Sequence, residues 1–566
     1  METYTVLSPW GDIKYPERSI FAPRVENLDG KTVGLWTYFK QHGVLINQEI
    51  EKLLKERFPN TSFSYFQYPI DTKEMCNDPE FDPKIREWVK TVDTVICTYG
   101  DGGSCATFMA YNAAYIEALG VPTVSICNIP LLNATFRGYS SRNVSDPRIV
   151  SMDLQDLSNM KLDQHAIDNY IKPALNTCID ELCDKLTAPA TDKEKPHGFE
   201  ELSNLGKQTF TGTYEQVNDW LYRNGWTDGS PVIPPTREAV DKMLTGTPMP
   251  ADYVVAELHP SGAPATVEKI AINAIMAGCS PIHMPALIAA VEATKDVNLE
   301  GWTCSVQSWM GPFIVINGPA AKDLGMETQG AALAPYTRTQ SCVAKAFAYI
   351  LMNISGVRPR MEDMTYLGGE TRFGFCFAED EENSPWPPLQ CDYGFDKDDS
   401  TVNIFWPVGR ELVINPMRQS NAAEIIAELG KIEDPGFYPG ATYCISAKAA
   451  RTLADAGFTK QKVYDHLVEY TRRSVTQEYI DWETKNNHPL PGGLPLPVST
   501  DYTIRKFYDD SHLQLIVVGD KNVYCGVAYI GTGDHGGPAT KKMLLPENWD
   551  KLVAEYAELK PEYVKY

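Results

Sequence analysis

No stretch of this chain is long and apolar enough to span a membrane. Its opening, Met-Glu-Thr-Tyr-Thr-Val, lacks the basic and then apolar segments of a secretory signal. Basic residues are scarce: 51 Lys and Arg stand against 74 Asp and Glu, giving a net charge of -23. A chain this acidic offers no footprint for nucleic-acid phosphates. The acidity favours solubility and still permits a locally basic pocket for an anion. Histidine is also scarce, at nine residues. There is no Walker motif, no G-x-G-x-x-G after a strand, no H-E-x-x-H, no paired C-x-x-C and no G-x-S-x-G. These absences weaken nucleotide-hydrolase, zincin and serine-hydrolase readings, and they leave flavin binding open.

What remains is ordinary globular composition, 43% hydrophobic and 22% charged. A length of 566 residues exceeds one compact core, so two to four domains are expected. The 13 cysteines are odd in number and scattered. Many sit in apolar runs, such as Cys97 and Cys127, and read as buried core thiols in a reducing, cytoplasmic setting.

The first part of the chain alternates strand and helix. Residues 31–36, 62–68, 93–99 and 122–129 read as strands, and residues 44–58, 85–90 and 106–119 as helices. Strands separated by such helices imply a parallel sheet with right-handed crossovers, a flavodoxin-like or Rossmann-like domain over residues 1–186. A polar linker follows over 187–212, then a mixed α/β middle domain over 213–410 and a C-terminal α/β domain over 411–566. Helices are expected at 214–223, 237–244 (capped by Thr236), 267–277, 285–293, 338–353, 422–429 and 461–472. Residues 411–414 and 442–446 read as strands. The apolar runs 513–518 and 524–530, separated by a Gly519-Asp520-Lys521-Asn522 turn, read as a hairpin.

The sharpest chemical signal is Tyr99-Gly100-Asp101-Gly102-Gly103-Ser104-Cys105, where a buried strand ends and a helix begins. Ligands of open α/β sheets bind at this edge. A helix start supplies unpaired N–H groups and a positive dipole end, which stabilise a bound anion or a thiolate. Cys105 is therefore the candidate nucleophile. Gly102, Gly103 and Ser104 are candidate anion contacts, Ser104 is a candidate cap, and Asp101 is a candidate proton acceptor. A plain turn with an inert cysteine is the competing reading.

His535, in Gly531-Thr532-Gly533-Asp534-His535-Gly536-Gly537, is a candidate general acid or base at a strand end. The acidic run Glu379-Asp380-Glu381-Glu382 after an apolar segment could bind a hard cation, but its spacing matches no known loop. A solvated acidic loop is the alternative, with Glu379 as a candidate substrate contact. Glu268, Lys269 and Asn273 interrupt an apolar helix and are candidate substrate contacts or members of a structural ion pair.

Four sets of residues resemble the UGSC-motif family of selenoproteins and their cysteine homologues. They are Ala22-Pro23-Arg24 with Leu28 to Leu35; Gly103-Ser104-Cys105 with Gly120 to Val124; Asp228 to Thr236 with Ala265 to Lys269; and Ala378 to Trp386. The middle and final regions look like a commonly fused partner. The family pattern places selenocysteine or cysteine three positions before the residue matching Cys105, and that position is Gly102 here. The reductive or redox chemistry implied by the resemblance would need a second chalcogen, which this turn does not contain.

The leading expectation is a cysteine-dependent enzyme that makes or cleaves a carbon–heteroatom bond in a small polar or anionic metabolite. It would need no cofactor and would form a homo-oligomer. A metal-dependent lyase or hydrolase using residues 379–382 and a non-catalytic anion-binding protein are the alternatives.

Overall fold

The computed structural model describes the chain outside residues 1, 13–21, 71–72, 101, 143, 145, 155–161, 192–203, 305–309, 360–361, 364, 366–367, 370, 416, 433–439, 478–479, 481–499, 501–502, 508, 533–536, 558 and 560–566.

The first strand, β1 (Tyr4–Leu7), is followed by β2 (Thr32–Tyr38), α1 (Gln41–Arg57), β3 (Ser62–Tyr68), α2 (Phe81–Trp88), β4 (Thr94–Thr98), α3 (Gly103–Ala118), β5 (Thr123–Asn128), α4 (Leu132–Ser141) and β6 (Ile149–Met152). Strands β2 to β6 form a parallel sheet in the order β3-β2-β4-β5-β6, as strand–helix alternation predicts. Central strands β2, β4 and β5 are buried along nearly their whole length because both faces are covered. Leu35, Ile96 and Val124 pack with Ile46, Ile50 and Leu54 of α1 and with the helix Lys172–Thr187. Trp36, Val95 and Cys97 turn the other way, toward Phe108, Met109 and Ile116 of α3.

Every residue of α3 from Gly103 to Glu117 is buried. A helix apolar all round must be covered all round. The sheet covers one side, α4 packs against it, and Cys304 from the middle region joins the same apolar cluster.

β1 lies outside this sheet. It pairs antiparallel with Thr209–Gly212, inside the interval read as a linker, and Val6 and Trp10 belong to the core of the middle region.

The rest of the chain is built on two four-stranded sheets that face each other. The first has the order Phe375–Ala378, Phe313–Asn317, Thr401–Phe405, Ala539–Lys542. The second has the order Gly409–Ile414, Gly526–Ile530, Ala441–Ile445, Leu513–Val517. Alternation assigns the faces. Phe313, Val315, Phe377 and Phe405 meet Cys444, Ile516, Val527 and Tyr529 between the sheets. Ile314, Ile316 and Ile404 point outward onto the helices Val267–Met276, Met284–Ala293 and Arg338–Asn353. Tyr443, Ile445, Leu515 and Ala528 point the opposite way, onto the helices Ala422–Leu429, Ala447–Asp455 and Lys460–Tyr470. The result is a helix–sheet–sheet–helix sandwich. The predicted helices 214–223, 338–353 and 422–429 stand at those bounds, and Thr236 caps its helix by accepting from the Ala239 N–H.

The hairpin expected from 513–518 and 524–530 does not form. Ala441–Ile445 lies between those strands, parallel to the first and antiparallel to the second. That strand is fully buried and needs a hydrogen-bonded neighbour on each side, which a local hairpin would deny it. Among the described residues, no helix is long and apolar enough to cross a membrane.

Candidate functional site

The carboxyl edge of the parallel sheet gathers the loops after β2 and β4. Tyr99, directly after β4, has φ of +59°, a left-handed conformation that is uncommon for a bulky residue. At Gly100 an added Cβ would lie 2.3 Å from the Ala106 nitrogen, so the first turn of α3 rests on bare backbone. Gly102 is the N-cap of α3, and no side chain caps the helix. The helix thus starts at Gly103, earlier than its apolar periodicity suggests, and Ser104 is a buried first-turn residue rather than the cap. The N–H groups of Gly103, Ser104 and Cys105 have no intrahelical acceptor at this end.

Cys105 is buried in this turn, and the buried Lys40 donates from Nζ to its Sγ at 3.3 Å. Lys40 is the N-cap residue of α1, on the loop after β2. Its neighbour His42 is fully buried, with its ring 5.5 Å from that of Tyr99. The loop approaches closely because Gly43 lacks a side chain. A Cβ there would collide with Thr37 Oγ1, which donates to the Thr98 carbonyl at 3.0 Å. Neither Lys40 nor His42 was singled out in the sequence. Their signal was topological: polar residues directly after a buried strand that proves adjacent to β4.

Cys105 differs in surroundings from the core thiols. Burial pushes the Cys127 and Cys178 thiols up to about 11, and it raises Cys97 far above its ordinary value. No charged nitrogen donates to those three sulfurs among the described contacts.

An added Cβ at Gly102 would have Cys105 Sγ at 3.9 Å and nothing else described within 4 Å. A chalcogen side chain at this position would therefore face the Cys105 sulfur. Glycine leaves that space clear of described side chains.

Two further segments of the resemblance meet behind α3. Arg24 forms a buried ion pair with Glu117 at 2.8 Å. Glu117 also accepts from the Ala22 N–H and from the Thr123 N–H and hydroxyl. Burial nonetheless raises the Glu117 carboxyl above its usual range.

The other candidates lie elsewhere. Lys269 donates to the carbonyls of Ser8 and Gly206 at 3.0 and 2.6 Å, and Asn273 donates to that of Pro9 at 3.1 Å. These two residues fasten the N-terminal segment to the middle region, and burial lowers the Lys269 ammonium below its ordinary value. Glu268 pairs with Arg237 at 2.7 Å. Glu379 is buried at the end of its strand and accepts from Asn317 Nδ2 and the Leu389 N–H, each at 2.8 Å. Glu381 accepts from the Gly318 N–H at 2.6 Å, and Asp380 from Gln329 Nε2 at 3.2 Å. N–H donors thus occupy carboxylate oxygens that a hard cation would require. Asp101 and His535 lie outside the described residues.

A polar cleft of about 510 Å³ separates the first domain from the middle region and is lined by Lys73, Asn77, His259, Lys295 and Glu300, among others. Glu300 is buried and accepts from Asn77 Nδ2 at 3.0 Å, with His259 Nδ1 3.7 Å away.

Residues 5–138 match the UGSC family. No curated protein and no solved structure matches the chain.

Proposed function

We propose, for this chain with its UGSC-family N-terminal region, that it is an enzyme using Cys105 as a nucleophile on an electrophilic carbon of a small polar or anionic metabolite. One observation carries the reading: a buried ammonium, Lys40 Nζ, lies 3.3 Å from Cys105 Sγ at the start of a helix on the sheet's carboxyl edge, where open α/β sheets generally bind ligands. The ammonium and the helix N-terminus both favour thiolate over thiol. The first-turn N–H groups of Gly103 and Ser104 would hold an anionic group of the substrate.

In the proposed step, Sγ bonds to carbon while the carbon–heteroatom bond breaks. The leaving heteroatom takes the bonding electron pair and a proton from Lys40. Water or another acceptor then cleaves the S–C bond, and the released proton restores the Lys40 ammonium. No net oxidation occurs, consistent with glycine at position 102. Cysteines buried within apolar runs, such as Cys97 and Cys127, fit a reducing, cytoplasmic setting, and we expect a homo-oligomer, which its mass in solution would reveal.

The test is incubation with small electrophilic metabolites followed by peptide mapping. A covalent adduct should form on the Cys105 peptide, and Cys105→Ala should consume none of the metabolites that the parent consumes while keeping its circular dichroism spectrum. Full turnover by Cys105→Ala contradicts the proposal. Anion binding without consumption would favour the binding-protein alternative.

A further inference from the structure

The core of the middle region contains a second cluster of soft donors. Cys279 follows the helix Val267–Met276 through Gly278, whose φ is +87°. His283 closes the short turn Pro281–His283, and Cys342 lies near the start of the helix Arg338–Asn353. All three residues are buried, and their donor atoms lie within 4.8 Å of one another. Cys342 Sγ is 4.0 Å from His283 Nδ1.

The surroundings fix the imidazole. The Ser280 backbone N–H donates to His283 Nδ1, so the ring proton sits on Nε2, which donates to Thr339 Oγ1 at 3.1 Å; Thr339 Oγ1 also lies 2.9 Å from the Leu324 carbonyl and 2.8 Å from the Tyr556 hydroxyl. The Nδ1 atom then carries the lone pair, on the side of Cys342. A backing hydrogen bond at the far nitrogen is the usual support for a metal-bound histidine. The Nδ1 lone pair accepts from the Ser280 N–H at 2.8 Å. The loop that carries Cys279 is held against the second helix by Arg338, which donates from Nε and Nη2 to the Gly278 carbonyl at 3.1 and 3.0 Å.

Metal–sulfur and metal–nitrogen bonds of about 2.3 and 2.0 Å bring such donors to within about 4 Å of each other. The observed spacing needs only a small contraction. Two thiolates and an imidazole suit soft d10 ions, whereas hard cations prefer oxygen. We propose that Cys279, His283 and Cys342 bind one thiophilic d10 metal ion, Zn(II) or Cu(I), which ties the Cys279–His283 turn to the helix Arg338–Asn353. On binding, the two cysteines release their thiol protons and the ion replaces the Ser280 N–H at Nδ1. No oxidant is needed. The ligands come from two separated segments, so no sequence spacing announces them.

The experiment uses the full chain, freed of metal by a chelator under a thiol-free reductant and titrated separately with Zn(II), Cu(I) and Co(II). One equivalent of Zn(II) or Cu(I) should remain after gel filtration, and the retained ion identifies the source. Co(II) should give a thiolate-to-cobalt charge-transfer band. Cys279→Ser and Cys342→Ser should each abolish retention, while Cys376→Ser and Cys105→Ser keep it. Retention unchanged in both cluster variants overturns the proposal. A metal-free protein with a Cys279–Cys342 disulfide on peptide mapping also overturns it. If the serine variants fail to fold, the cobalt spectrum of the parent decides, and absence of the charge-transfer band refutes the site.

Discussion

The proposed reactivity of Cys105 depends on residues that are distant in sequence. The glycine-rich turn was legible because glycines, a strand end and a helix start are local features. Lys40 was not legible, because its approach to Cys105 requires β2 and β4 to be neighbours and α1 to close down over Gly43. Gly102 gives a direct prediction at this scale. Its hypothetical Cβ lies 3.9 Å from Cys105 Sγ with no other described atom within 4 Å. A sulfur one bond further out can therefore reach bonding distance with modest adjustment. Gly102→Cys should form a disulfide with Cys105 under mild oxidation, read by mass spectrometry as the loss of two hydrogens. A variant that keeps two free thiols would show that the turn does not present position 102 to the sulfur.

At the scale of elements, helices were the most legible features. The helices 214–223 and 422–429 match their periods because each buries one apolar stripe, and 338–353 stands at its expected bounds although most of its residues are buried. The start of α3 was missed because glycines carry no period, although the helix geometry begins at Gly103. The hairpin failed for a different reason: local turn chemistry cannot reveal a third strand inserted between its arms. Behind α3, the Arg24–Glu117 pair anchors the N-terminal segment to the helix and to β5. Arg24→Met leaves a buried carboxylate without its cation and should destabilise the domain by roughly 3 kcal/mol. Adding Glu117→Gln removes that charge while keeping an acceptor for Thr123, and it should recover part of the loss. Urea denaturation of the single and double variants checks both statements. Equal stability of parent and Arg24→Met would contradict them.

Across the whole molecule, the alternating first domain followed from sequence, but the sandwich of two facing sheets did not. Its strands are collected from Phe313 to Lys542, and Ala539–Lys542 returns to the earlier sheet. Glu379 stands where the sheets meet, accepting weakly from the Val517 N–H at 3.4 Å. Burial pushes its carboxyl up to about 7 from an ordinary 4.5. The unfolded chain loses this proton near the ordinary value, and the folded chain loses it only near neutrality. The contribution of Glu379 to stability therefore falls as pH rises between those values and levels off above them, for a total of roughly 3 kcal/mol. Glu379→Gln should remove this slope. The difference in urea midpoint between parent and variant, followed from about pH 4.5 to about pH 7.5, measures it, and a flat difference would count against the raised carboxyl.

The central claim is that Lys40 activates Cys105. Its most direct test is the pH dependence of alkylation at each cysteine, resolved by peptide mapping in the parent and in Lys40→Met. The parent should react fastest at Cys105, ahead of Cys97, Cys127 and Cys178. In Lys40→Met the Cys105 profile should move upward by about one pH unit or more. Identical profiles in the two proteins, or a Cys105 no faster than the core thiols, would contradict the account.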